Sequence, residues 1–198
     1  MASVGKALEQ HVSNLPEGEV VQAKAFLRLG KRATVDKALS RLADKGRLQR
    51  ACQGVYVAPV ETRFGRRAPA ADKVVRSLSQ HRGEQVASSG GAAANALGLT
   101  TQVPVQQVYL TAGPDRTLRL GELAVELRHA PRWQLLAPER KAGQVIRALA
   151  WLGPEEAATS VERLQSQLTA EERQELSELS ATLPSWLAEL LHGLVGDD

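Results

Sequence analysis

The chain has 198 residues, of which 43% are hydrophobic and 24% charged, enough for a sizeable core in one large domain or two small ones. No apolar run approaches the length of a membrane-spanning helix, and the first residues lack the basic start and apolar stretch of a signal peptide. The single cysteine, Cys52, and four scattered histidines exclude a disulfide framework and disfavour a metal centre. We therefore expect a cytoplasmic protein without a cofactor, a metal or a membrane partner.

The net charge of +3 hides a gradient along the chain. Residues 1–67 carry 13 Lys and Arg against 6 Asp and Glu, whereas residues 151–198 carry 2 against 10. Basic side chains placed near phosphates release condensed counterions, so a basic first third is typical of a nucleic-acid-binding protein. The same charge also suits a well-solvated domain, and an acidic tail suits a protein-binding face. The charge distribution therefore does not decide between a nucleic-acid partner, a protein partner and simple solvation.

The first sixty residues predict the order helix, short strand, helix, helix, hairpin. Apolar and turn residues predict helices over 3–14, 22–29 and 32–45 and strands over about 47–50 and 55–57. This order is typical of a winged helix-turn-helix, whose third helix enters the major groove of DNA while the hairpin forms the wing. The alternative is a small three-helix domain that uses a solvated basic face for protein contacts.

Hydrogen-bond donors occupy the outward positions of the predicted third helix and wing. The residues expected in the groove are Arg32, Thr34, Lys37, Ser40 and Arg41. The residues expected on phosphates are Lys31, Arg47, Arg50, Arg63, Arg66 and Arg67. The last three belong to segment 61–71, which mixes Arg with Gly, Pro and Ala and predicts an exposed basic linker or minor-groove arm.

Several strings in the sequence are similar to one family. ATVDKALSRL over 33–42, KG at 45–46 and GVY over 54–56 resemble the N-terminal domain of AbiEi-type antitoxins. SGGAAANALGLTTQVP over 89–104, YLTAG over 109–113 and QVIRAL over 144–149 resemble later parts of the same family, so the resemblance runs over about 4–155. The wing departs from the pattern at Ala51-Cys52-Gln53, where relatives have a leucine and a basic residue.

The resemblance implies an antitoxin of a bacterial abortive-infection (type IV) toxin–antitoxin pair. In that family the winged helix represses its own operon at inverted repeats in double-stranded DNA. The second domain takes part in neutralising a nucleotidyltransferase-like toxin, and a direct complex is not required. The implied partners are therefore operator DNA and the cognate toxin, and no enzymatic activity is implied.

The rest of the chain predicts a second domain over 72–198, after the winged helix of 1–60 and the linker of 61–71. The predicted strands are 85–87, 107–111, 117–120 and 123–129. The predicted helices are 70–82, 92–97, 138–152, 154–168 and 169–192, the last interrupted at Pro184. The fold class is therefore α+β, with a small, mostly antiparallel sheet and an acidic helical tail.

Neither a nucleophilic triad nor a phosphate-binding glycine loop is present, and the Gly-Gly-Ala-Ala-Ala segment after Ser89 predicts a close helix-on-sheet contact instead. Asp115 and, ten residues on, Glu126-Leu127-Arg128 imitate a magnesium-dependent nuclease motif, but arginine stands in place of the lysine. We predict no catalytic residue. Two alternatives stay open: a winged-helix regulator with a ligand- or partner-sensing second domain and no toxin, and the nuclease.

Overall fold

The computed structural model describes residues 4–102 and 105–195. Val103 and Pro104, the last two residues of the segment 89–104 that resembles AbiEi-type antitoxins, therefore lie outside the described residues. The helices are α1 (Val4–Ser13), α2 (Arg32–Asp44), α3 (Ala71–Arg82), α4 (Gly90–Ala96), α5 (Lys141–Gln165), α6 (Ala170–Ser180) and α7 (Ser185–Val195). Two 3-10 helices span Ala23–Leu29 and Arg132–Leu135. The strands are β1 (Val20–Gln22), β2 (Gln49–Cys52), β3 (Val55–Val57), β4 (Val60–Thr62), β5 (Gly65–Arg67), β6 (Val86–Ser88), β7 (Gln107–Thr111), β8 (Arg116–Leu120) and β9 (Leu123–His129). The class is mixed α+β with small sheets and C-terminal helices, as the sequence predicts.

The chain divides into two compact units. The first holds residues 1–84 and 116–126, and the second holds residues 85–115 and 127–198. This division differs from the predicted one, because α3 belongs to the first unit and because a later segment, 116–126, returns to it. Among the described residues, none of the helices is long and apolar enough to cross a membrane.

The core of the first unit forms between helices and a small sheet. Val35, Leu39 and Leu42 recur on one face of α2 and are buried, as is Leu8 of α1. Burying each such side chain contributes about 1.5–3 kcal/mol. Three antiparallel strands lie in the order β1-β3-β2, and Tyr56 of the central strand is buried against the same core.

The predicted second helix is a 3-10 helix. Its buried residues, Ala23 and Phe26, are three apart, as a repeat of about three residues per turn requires. Ala25 is exposed and Leu29 is 37% exposed, so the inward positions predicted for them at α-helical spacing are wrong.

An ordered hairpin stands where the sequence predicts a linker. β4 and β5 pair antiparallel, with Glu61 opposite Arg66. The Thr62 hydroxyl closes the turn: Oγ1 donates to the Gly65 carbonyl at 2.7 Å and accepts from the Phe64 amide at 3.2 Å. The hairpin is absent from the sequence prediction because its stability comes from such side-chain bonds and from contacts outside 61–71, with little apolar alternation.

In the second unit, α4 packs on α5. A Cβ at Gly90 would lie 2.5 Å from Trp151 Cβ and 2.6 Å from the Arg147 carbonyl oxygen, so only glycine permits this approach. The close contact predicted for this segment is therefore made with a helix, and the predicted helix-on-sheet packing is wrong. Buried residues of α4, α5, α6 and α7 share one core.

The helix boundaries of the C-terminal half follow the predicted breakers. Gly153 has a φ of +79° and is followed by Pro154, so α5 bends between the two predicted helices. Pro184 precedes α7. Within the second unit, β6 and β7 pair antiparallel.

Candidate nucleic-acid interface

One exposed stripe on α2 gathers most of the predicted groove residues. Thr34, Lys37, Arg41 and Lys45 (the α2 stripe) are spaced by three or four residues, lie on a different face from the buried residues, and are exposed. Together with Lys6 and Glu9 of α1, they line a shallow groove of about 440 Å³. Within the described residues, neither Lys37 nor Arg41 has an ion pair. Their donors are therefore available to a ligand.

Arg32 does not belong to this stripe. Nine residues at about 100° each place it about 180° around the helix from Arg41. Its Nε donates to both carboxylate oxygens of Asp36, at 2.9 and 3.1 Å. Ser40 is exposed but does not line the groove. The structure therefore brings three of the five predicted groove residues together and leaves Arg32 paired within its own helix.

The two ends of α2 differ in their hydrogen bonds. Lys31 precedes the helix; its side chain makes no capping hydrogen bond, and its carbonyl accepts from the Thr34 and Val35 amides. At the other end, Gly46 has a φ of +67°, and its amide and that of Arg47 donate to the Ala43 and Leu42 carbonyls. A side chain at Gly46 would strain this left-handed stop.

The predicted wing residues are exposed on the turn from α2 into the β2–β3 hairpin. Arg47 Nη2 donates to Ser13 Oγ at 3.0 Å, which ties this guanidinium to the end of α1. Arg50 is exposed on β2, opposite Tyr56 of β3. Of the two, Arg50 is the better placed for a phosphate, since its guanidinium is not held by a side-chain hydrogen bond like that of Arg47 to Ser13. Burial raises the pKa of the Cys52 thiol on the same strand, so the thiol stays protonated near neutral pH.

The arginines of the β4–β5 hairpin are bound mostly to the protein itself. Arg66 Nε lies 2.7 Å from Glu61 Oε1, and its Nη1 donates to the Gly46 carbonyl at 3.1 Å. Arg67 Nη1 lies 2.9 Å from Glu17 Oε1 and donates to the Ala68 carbonyl. Arg63 is at the hairpin tip, 4.6 Å from the centroid of the Phe64 ring, which it covers as a cation–π pair.

The Glu17 carboxylate binds three donors from other parts of the first unit, and the sequence does not predict this cluster. It accepts from Lys73 Nζ at 2.6 Å, from Arg67 Nη1 at 2.9 Å and from the Ala70 amide at 3.1 Å. Lys73 first, then Arg67 and the Ala70 amide, stabilise the carboxylate and lower the pKa of Glu17 to about 2. No local signal predicts this cluster, because the partners are 50 to 56 residues away in sequence.

Asp115 has a structural contact. Its Oδ1 accepts from the His129 amide at 2.6 Å, and His129 Nδ1 lies 3.0 Å from the Gly113 carbonyl oxygen. In residues 4–102 and 105–195, no group of three His, Cys, Asp or Glu side chains could hold a metal ion. The nuclease reading of Asp115 and Glu126 stays a hypothesis that this geometry does not favour.

The chain is similar in fold to a solved structure and matches the model of a protein family. A solved structure, described as "Crystal structure of RV2827C protein from Mycobacterium tuberculosis", is 15% identical with a TM-score of 0.51, over 100% of this chain and 78% of that one. At this identity the likeness concerns the fold alone. No curated protein matches the chain. Residues 7–176 match the family of unknown function DUF6088, and the chain belongs to that family.

Proposed function

We propose that the protein is an autorepressor and antitoxin whose first unit binds double-stranded operator DNA as a winged helix-turn-helix. The order of α1, β1, the 3-10 helix, α2 and the β2–β3 hairpin supports this reading, as does the antiparallel sheet β1-β3-β2. In such a module α2 is the recognition helix and the β2–β3 turn is the wing.

The α2 stripe is the observation that carries the proposal. A long exposed row of Thr, Lys, Arg and Lys on one helix face supplies donors for base edges and phosphates at the spacing of successive helical turns. Lys37 and Arg41 have no ion pair among the described residues, whereas Arg32, on the same helix, is paired with Asp36, so the stripe can offer its charge to a phosphate without breaking an internal ion pair. We assign groove contacts to Thr34, Lys37 and Arg41.

The antitoxin part of the proposal is supported by sequence similarity. The strings that resemble AbiEi-type antitoxins lie in both units, from about residue 4 to 155, and therefore do not depend on the DNA-binding segment alone. The functional partner proposed on this basis is a nucleotidyltransferase-like toxin.

A mobility-shift titration on the DNA directly upstream of the gene, with competitor DNA and a salt series, tests the first half. We expect a specific, salt-sensitive shift. Lys37→Ala and Arg41→Ala should each weaken binding by ~1–3 kcal/mol if the side chain reads a base, or lower the salt slope by about one unit if it contacts a phosphate. The matched control, Arg132→Ala/Arg163→Ala, removes two exposed charges from the second unit and should bind normally. Unchanged affinity and salt slope in the α2 variants would show that α2 is not the recognition helix.

Co-expression with the neighbouring reading frame tests the second half. An antitoxin should restore growth to cells that express a toxic nucleotidyltransferase-like neighbour, and residues of the second unit should be needed for this. The alternative, a regulator without a toxin, predicts the same DNA shift but no growth rescue and no such neighbour.

A further inference from the structure

The second unit contains a cavity of about 820 Å³ that the proposed DNA contacts do not use. Its volume falls in the range of about 300–1,000 Å³ found for small-molecule sites. The described residues that line it include two arginines, Arg128 and Arg147, and no acidic residue. The lining also combines apolar side chains with amide groups such as Gln134. This composition favours an anion that carries an apolar part.

Trp151 offers a flat surface in this cavity. It is 49% exposed, unusual for the largest apolar side chain on a helix that otherwise packs into a core. Gly90 and Gly91 pack against one side of it: a Cβ at Gly91 would lie 3.3 to 3.5 Å from three atoms of the indole ring. A ring held in place from one side and open on another is suited to stack on an aromatic ligand.

Arg147, one of the lining residues, carries a buried positive charge. The residue is 1% exposed, and its guanidinium donates to the Pro138 carbonyl at 2.9 Å and, at longer range, to the carbonyls of Gln134 and Leu136. None of these acceptors carries a charge, and Nε has no hydrogen-bond partner among the described residues. Burial lowers the pKa of Arg147 to about 10, so the group remains a cation at neutral pH. A buried charge without a carboxylate is costly, and an anion in the cavity would offset this cost.

We propose that this cavity binds a mononucleotide, with the base stacked on Trp151 and the phosphate directed to the side of the cavity that Arg128 and Arg147 line. The purine or pyrimidine ring supplies the flat apolar part and the phosphate supplies the anion. The amide of Gln134 can donate to and accept from a base edge. This inference does not depend on the DNA-binding proposal, because all the residues that carry it lie in the second unit.

Calorimetric titration of the full chain with AMP tests the proposal, with adenosine, inorganic phosphate and benzoate titrated in parallel. We expect AMP to bind at least about tenfold more tightly than each of the other three, since only AMP combines stacking with the phosphate charge. Equal affinity for adenosine, phosphate or benzoate would overturn the mononucleotide assignment. Absence of binding heat up to millimolar AMP would overturn the site.

Substitutions inside and outside the cavity test where AMP binds. Trp151→Ala should weaken AMP binding about tenfold, and Arg128→Gln should also weaken it, whereas Arg132→Gln, an exposed arginine outside the cavity, should not. If Trp151→Ala alters the unfolding transition, Trp151→Phe retains a ring and should keep the affinity within about threefold. The Lys37→Ala/Arg41→Ala protein should bind AMP normally, and a loss of AMP binding there would assign the nucleotide to α2 and overturn the cavity.

Discussion

The α2 stripe and the β4–β5 hairpin are both basic in sequence, but their charges are used differently. On α2, Lys37 and Arg41 face a groove without an ion pair among the described residues. On the hairpin, Arg66 and Arg67 are bound to Glu61 and Glu17 and to backbone carbonyls. A cation that already has a carboxylate must give up that partner to bind a phosphate. Local charge density is therefore a poor guide to an interface until intramolecular partners are known.

Paired double variants give the largest expected difference. Lys37→Ala/Arg41→Ala and Arg66→Ala/Arg67→Ala both remove two positive charges from the first unit. We expect the α2 pair to lower affinity for upstream DNA at least about tenfold. The hairpin pair should keep the affinity within about threefold and lower the free energy of unfolding by about 1 kcal/mol, because its ion pairs are half-exposed. Mobility shifts and urea unfolding measure the two effects, and equal losses of affinity would remove the distinction between the regions.

The pH dependence of stability tests the anchoring of the hairpin. Because the pKa of Glu17 is about 2 in the folded protein and near 4.5 in the unfolded chain, its contribution to stability is complete above pH 4.5 and is lost as the pH falls toward 2. Glu17→Gln should therefore be less stable than the wild type at pH 7, with a difference that disappears near pH 2. Urea titrations at several pH values measure it. A difference that does not change with pH would show that the carboxylate charge is not what Lys73 and Arg67 bind.

Substitution at the hairpin tip should have the smallest effect on the free energy of unfolding. Arg63 is exposed and covers Phe64, which is itself 85% exposed, so neither side chain stabilises the core. Arg63→Ala should leave the free energy of unfolding within about 0.5 kcal/mol. If the tip follows the DNA backbone, as we expect, the same variant lowers the salt slope by about one unit. A salt slope identical to that of the wild type would restrict the DNA contacts to α2 and the wing.

The sequence predicted elements whose stability is local. α1, α2, α3 and the helices around Gly153 and Pro184 follow from apolar spacing and breakers, and β7 and β9 begin and end at the predicted residues. The pairing of Arg32 with Asp36 was also accessible, since the two are four residues apart on a helix. A guanidinium paired in this way is a weaker candidate for a groove contact, which separates Arg32 from Lys37 and Arg41.

The features that the sequence did not predict depend on distant partners. The β4–β5 hairpin is attached through Arg66 to a carbonyl 20 residues earlier. The glycines of α4 predicted a close approach but could not show that the neighbour is Trp151 of α5. Arg147 lies in a sequence that is typical of a helix, and nothing in that sequence indicates that its charge is buried.

Residues 116–126 belong to the first unit although 85–115 belong to the second, and this affects both the folding of the first unit during synthesis and the choice of fragments that contain all of it. Leu118, Leu120 and Val125 of this segment are buried, and the Gln49 side chain donates to the Arg119 carbonyl, which attaches the segment to β2 of the first unit. During synthesis the ribosome must translate all of 85–115 before the last strand of the first unit is available. An N-terminal fragment that stops at residue 60, or even at 84, would leave β2 without this neighbour, whereas a break within 85–115 that keeps both ends would preserve every strand of that unit.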